Sequence, residues 1–385
     1  MECSPISPPP PADLDALEAV FDGLYTWLGR LWDPASGGFY YQLSSLEDPQ
    51  RFAADIESTG QAVRVLARAE LLSRLHNTHR LAIADFIKRH QHPDGFFRAG
   101  DGESSLNTER MLGRYLDYCR VSLELLEASP RFPLPKEFST TLGEQALRPA
   151  ALEQWVDARD WSNPWRALDE VSSRVQILEN VDHPAAALAI QDLIRLINER
   201  QDPTSGLWGG GEAYVQISGA FKAVFLYARR QPFPRSEQVY ASLMRCVRQH
   251  PAPRVTWISN ALNLFMAVEA TGQVKPTEAD RHDLLHISTR NLRTCLRSDG
   301  GFSVTTEGSW AAPNDGIVLG QGRVEGDMNS AGLASQVWLN LHKILRLPGR
   351  PPRGAQRLFD TLATPRTDPI KTDSMPQLQT RGDRW

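Results

Sequence analysis

Apolar residues recur along this chain with a helical period, and strand-like alternation is rare and short. The periodic segments are of two kinds. Those at 13–32, 72–90, 136–156, 184–200, 236–250 and 277–297 are charged on one side and apolar on the other, which predicts helices with a solvent face. The second kind is richer in small and apolar residues. It comprises "DIESTGQAVRVLARA" from 55, "NTERMLGRYLDYCRVSLELLEA" from 107, "NPWRALDEVSSRVQIL" from 163, "AYVQISGAFKAVFLYA" from 213, "VTWISNALNLFMAVEA" from 255 and "GDMNSAGLASQVWLNL" from 326. The two kinds alternate and give six pairs.

The turns between them resemble one another. "DPASGGF" stands at 33–39, "HPDGFF" at 92–97, "DPTSGLW" at 202–208 and "SDGGF" at 298–302. In each, proline or glycine halts a helix and glycine supplies the reversal before an aromatic residue. Related turns and alternating helices indicate an internal repeat. Six outer-inner pairs predict an all-α fold, an (α/α)6 toroid, as one domain over 13–347. An open solenoid is the alternative, and it usually needs polar caps and more uniform repeats. The Pro-rich residues 1–12 and the polar tail 348–385 are expected to be largely disordered, apart from a short turn near Leu358.

In such a ring the inner helices run in one direction, so their N-termini share one mouth. That gathers Asp55, Glu57 and Ser58; Asn107, Glu109 and Arg110; Asn163 and Trp165; Tyr214 and Gln216; Trp257 and Asn260; and Asp327 and Asn329. Phe39, Phe97, Trp208 and Phe302 lead toward the same end. Asp, Asn and Ser also favour helix starts for local reasons, so Asp55 and Asn163 read first as caps. Asp327 reads equally as cap or as site, because Glu325, Asp327 and Asn329 crowd one segment beside a Gly-rich loop. Closure makes the first and last inner helices neighbours and sets Glu57 against Asp327. Two close carboxylates can divide into acid and base.

Composition narrows the partners. Of 385 residues 41% are hydrophobic, enough for a substantial core, and the net charge is -4 with scattered Lys and Arg. Nucleic acid, which needs a concentrated basic face, is not expected. No apolar run reaches membrane-spanning length and no secretory signal opens the chain, so a cytoplasmic protein is expected. The 4 cysteines lie far apart and read as reduced thiols. "HNTH" and "HQH" fall on solvated segments without zinc spacing, and "GLWGGGEAY" lacks the lysine of a phosphate loop. No metal site and no cofactor is expected.

With its helix pairs and Gly-Gly-Phe-like turns over roughly residues 13–345, the chain resembles the terpenoid cyclase and protein prenyltransferase α/α-toroid superfamily. The resemblance implies an apolar or isoprenoid substrate in a central cavity. Asp327 would then donate a proton, and Trp165, Trp208, Tyr214, Trp257 and Trp310 would stabilise a cation over their faces. The DxDD and DDxxD strings are absent. In "GDMNSAGL", Asn329 and Ser330 stand where the prenyltransferases have His and Thr, which removes their zinc site. The ring is also that of (α/α)6 polysaccharide lyases and glycosidases, which makes a saccharide hydrolase or lyase with a Glu57/Asp327 pair the second expectation. A non-catalytic ligand-binding toroid is the third. Asn329, Gln216 and Asn260 would bind substrate under either enzymatic reading.

Overall fold

The computed structural model describes residues 9–99, 108–135, 147–179, 184–313 and 317–363. The described chain is mostly helical. Its helices are α1 (Pro11–Val20), α2 (Leu24–Arg30), α3 (Ile56–Arg68), α4 (Asn77–Arg89), α5 (Glu109–Leu125), α6 (Pro149–Asp157) and α7 (Pro164–Glu179). They continue with α8 (Ala186–Glu199), α9 (Ala213–Tyr227), α10 (Ser236–Gln249), α11 (Val255–Glu269), α12 (Glu278–Cys295), α13 (Met328–Ile344) and α14 (Arg357–Ala363). Strands β1 (Trp32–Asp33) and β2 (Gly38–Phe39) form one antiparallel hairpin.

Two expected helices are shorter or broken. The segment 13–32 bends between α1 and α2, where Gly23 lies against Gly300; a Cβ at Gly23 would come within 2.6 Å of the Gly300 Cα. The segment 72–90 opens with a 3-10 turn, Leu72–Arg74, before α4 begins. Of 136–156, residues 136–146 lie outside the described residues, and α6 starts at Pro149.

The four related turns fold alike. Each holds its ends in a bridge: Trp32 with Phe39, Gln91 with Phe97, Gln201 with Trp208, and Leu296 with Phe302. Gly37, Gly95, Gly206 and Gly300 take φ between 70° and 92°, which a side chain would strain. An aspartate closes each loop: Asp33, Asp94, Asp202 and Asp299 accept backbone amides two or three residues on. The aromatic ending each turn is buried: Phe39, Phe97, Trp208 and Phe302 are at most 1% exposed. They fill the core rather than lead to an opening.

α3 packs on α5, α5 on α7, α7 on α9, α9 on α11, α11 on α13, and α13 on α3. Side-chain pairs at matching depths show that α3 runs parallel to α5 and to α13. Glu57 meets Arg114 and Gln61 meets Tyr118 between α3 and α5. Gln61 meets Asn329 and Arg68 meets Ser335 between α3 and α13. At α9, Gly219 sits against Pro164, where a Cβ would lie 2.9 Å from backbone atoms, so α7 and α9 approach closely. The alternate helices cover these six: α4 touches α3 and α5, α8 touches α7 and α9, α10 touches α9 and α11, and α12 touches α11 and α13.

Within the tail, residues 350–363 contact the helices at the start of the chain, and the turn expected near Leu358 lies in α14. Arg350 pairs with the buried Glu18 at 2.5 Å, and the Arg353 amide donates to Glu18 Oε2 at 2.8 Å. Leu358 on α14 is fully buried and α14 packs on α2. The buried Leu358 and the contacts of Arg350 and Arg353 with Glu18 tie the segment to α1 and α2. Among the described residues no helix is long and apolar enough to cross a membrane.

Candidate functional site

The starts of α3 and α13 converge. Asp55 caps α3: its Oδ1 accepts from the Glu57 and Ser58 amides at 3.0 and 2.9 Å. Its own amide donates to the Phe39 carbonyl at 3.2 Å. Asp327 caps α13 in the same way, its amide donating to the Phe302 carbonyl at 2.8 Å. The repeated turn thus delivers a carboxylate to the head of each of these two helices. Tyr41 is buried, and its hydroxyl interacts with Asp327. Burial, then Asp327, Glu57 and Asp55, push its pKa well above the usual tyrosine value. One phenol therefore senses all three carboxylates.

The carboxylates differ in what remains available. Asp327 is 0% exposed and accepts from Ser309 Oγ (2.7 Å), the Ser330 amide (2.8 Å) and Ser330 Oγ (2.9 Å). Burial raises its pKa while these donors pull the other way. Glu57 is buried, and its Oε1 accepts from Arg114 Nη2 at 2.7 Å and Nε at 3.2 Å. Asp55 is half-buried as a residue, but its Oδ2 is itself buried and has no hydrogen-bond partner among the described residues. Burial pushes its pKa to about 7 against the pull of Ser58 and Glu57 donors.

α3 and α5 extend this polar wall. One face of α3 carries Glu57, Gln61, Arg64 and Arg68 at helical spacing. Gln61 Nε2 donates to Tyr118 Oη at 2.8 Å and to Asn329 Oδ1 at 3.3 Å. Arg64 pairs with Asp117 at 2.8 Å. The Tyr118 ring lies between two guanidiniums, Arg64 at 4.4 Å and Arg114 at 4.9 Å.

The heads of α7 and α11 make an aromatic wall. Trp165 and Trp257 meet edge to face, centroids 4.8 Å apart, although their helices are separated by α9. That contact spans the head of α9. Arg254 lies 5.4 Å from the centroids of both Trp257 and Trp310. Trp165 Nε1 and Asn260 Nδ2 are buried donors with no partner among the described residues.

The remaining expected residues are not on this wall. Trp208 is fully buried, its Nε1 donating to the Ile197 carbonyl at 2.8 Å, packed on Tyr227 and Phe233. It has no surface for a ligand. Tyr214 is buried, its hydroxyl 3.4 Å from the His250 carbonyl. Gln216 Nε2 donates to the Gly211 carbonyl. Asn107 and the side chains of Glu109 and Arg110 lie outside the described residues.

The loop 303–313 with 317–327 binds the segment after β2. Glu325 Oε2 accepts from the Ser44 amide at 2.9 Å and Oε1 from its hydroxyl. Ser45 Oγ donates to the Leu319 carbonyl, and Arg323 pairs with Glu47 at 2.8 Å. Burial raises the Glu325 pKa to about 7, partly offset by Ser44. Elsewhere, an open depression lined by Asp85, Lys88, Arg89, Ser129, Pro130 and Arg131 touches none of these residues. Among the described residues no three His, Cys, Asp or Glu side chains cluster as metal ligands would.

Tyr41, Arg114, Tyr118 and the unpaired oxygen of Asp55 are not among the residues expected from the sequence. The polar stripe 57, 61, 64, 68 inside an apolar-rich helix was the available signal. Neither a family model nor a curated protein matches the chain. A solved structure of a protein from Actinoplanes is similar at 14% identity over 87% of this chain and 99% of that one, with a TM-score of 0.39.

Proposed function

We propose that the six helices form the inner ring of an (α/α)6 toroid that acts on a hydroxyl-rich, saccharide-like substrate at its N-terminal mouth. The cyclic order of helix contacts supports the ring. The observation that carries the chemistry is the contrast among carboxylates. Asp55 keeps an unengaged oxygen and a pKa of about 7, suited to a general acid at neutral pH. Glu57, ion-paired with Arg114, places a carboxylate beside it to stabilise developing positive charge at the sugar carbon. Asp327, with its donors filled, holds Tyr41 and caps α13. Asn329 and Gln61 offer hydrogen bonds to hydroxyls, and Trp165 and Trp257 offer faces on which a ring stacks.

The isoprenoid reading, suggested by the terpenoid cyclase resemblance, has the ring in its favour but not the lining. A carbocation would meet Arg64, Arg114 and, over the tryptophans, Arg254. These guanidiniums repel it.

The test is turnover of neutral and acidic oligosaccharides, followed by reducing-end release, with geranylgeranyl diphosphate as the competing substrate. Saccharide turnover that falls at least about 100-fold in Asp55→Asn is expected. Binding without turnover would make the protein a ligand-binding toroid, and turnover of the diphosphate would replace the saccharide reading.

A further inference from the structure

We infer that Arg64 and Arg68 form an anion-binding subsite inside the lumen, which selects a substrate carrying a carboxylate below the reactive bond. The inference rests on the saccharide reading and adds the substrate's charge. The wall made by α3 and α5 holds three guanidiniums, Arg64, Arg68 and Arg114. Two are met by carboxylates, Arg114 by Glu57 and Arg64 by Asp117. Arg68 has no carboxylate partner among the described residues. Its Nη1 donates to the Gly332 carbonyl at 2.8 Å and to Ser335 Oγ at 3.0 Å.

Arg68 stands in the last turn of α3, where a cation often serves the helix's own carbonyls. Here it reaches instead to the middle of the neighbouring helix, α13. Arg68 follows Arg64 by four residues, so the two side chains leave the same face of α3 one turn apart, and burial followed by the charge of Arg64 lowers the Arg68 pKa to about 10. Arg64 Nε is buried and has no partner among the described residues. Two cations one helical turn apart, one reaching to α5 and the other to α13, with a free donor on Arg64, are matched by a planar oxyanion that takes hydrogen bonds from both.

The spacing fits a ligand that extends inward. Arg64 follows Glu57 by seven residues on one face, about 10 Å along the axis. A substrate held at Glu57 and Asp55 would place its next units beside Arg64 and Arg68. Tyr118, clamped between Arg64 and Arg114, gives the intervening surface a ring face.

Calorimetric titration with tetragalacturonate and with the neutral cellotetraose tests this in the full chain. The acidic ligand should bind about ten-fold or more tightly, as one or two charge-assisted hydrogen bonds would give, with the preference shrinking in high salt. Arg68→Gln should erase the preference while leaving cellotetraose affinity unchanged, and Arg68→Lys should retain part of it. Unchanged cellotetraose binding also shows that the variant is folded. Equal binding of the two ligands by the wild type, or a preference that survives Arg68→Gln, overturns the subsite and leaves the saccharide reading intact. Binding of neither ligand overturns both.

Discussion

Glu325→Gln tests how burial of a single carboxylate governs stability. Glu325 is 4% exposed and holds its loop to Ser44. Its pKa rises from 4.5 to about 7 because burial, with a contribution from Asp299, outweighs the donors of Ser44 and the charge of Arg323. Below pH 4.5 folded and unfolded chains both hold the proton. As pH rises from 4.5 through about 7, the unfolded chain releases it first and the folded chain loses stability. Above about 7 the folded chain carries the full cost. At roughly 1.4 kcal/mol per pH unit the loss is about 3 kcal/mol. Glutamine keeps the shape and the acceptor for the Ser44 amide but cannot ionise. The variant should match wild type near pH 4.5 and exceed it by up to about 3 kcal/mol at pH 8, read from urea midpoints at both pH values. Wild type should still lose stability over the same window through Asp55, raised from 3.8 to about 7 by burial, and so should the variant. A variant less stable than wild type at pH 8 would refute the reasoning, since the ionised carboxylate would then be worth more to Ser44 than its burial costs.

Two further outcomes concern the frame. Asp327→Asn should lower stability by about 0.5 to 2 kcal/mol, because the cap of α13 and two serine hydroxyl donors depend on its oxygens; thermal unfolding measures it, and an unchanged midpoint would return Asp327 to a chemical role. Arg350→Ala should cost about 1 to 3 kcal/mol by leaving Glu18, 1% exposed, with fewer partners, and Glu18→Gln in the same background should recover part of the loss on denaturation.

The sequence announced its helices through period and its turns through Asp, Pro and Gly, because both signals are local. α3, α9, α11 and α13 begin within a residue or two of where their patterns start. The bend at Gly23 escaped notice, since its cause is the backbone of Gly300 far along the chain. The same holds for the carboxylates. That Asp55 and Asp327 are caps is written in the residues after them. Which of the two keeps an idle oxygen depends on Ser309 and Tyr41, whose approach only the folded chain reveals. An aromatic after a turn looks the same in sequence whether it meets a ligand or, like Trp208, is buried and donates to a backbone carbonyl, here that of Ile197.

The hydrogen bond from Gln61 to Asn329 joins residues 268 apart in sequence. Each hairpin of helices can assemble from neighbouring stretches as the polypeptide is synthesised, but the α3–α13 seam cannot zip until nearly the whole chain has been translated. The polar wall of Glu57, Gln61 and Asn329 straddles that seam. A nascent or truncated product therefore has pieces of the wall without the contact that joins them, and hydrogen-exchange protection of the seam after dilution from denaturant would time its docking rather than the growth of helix.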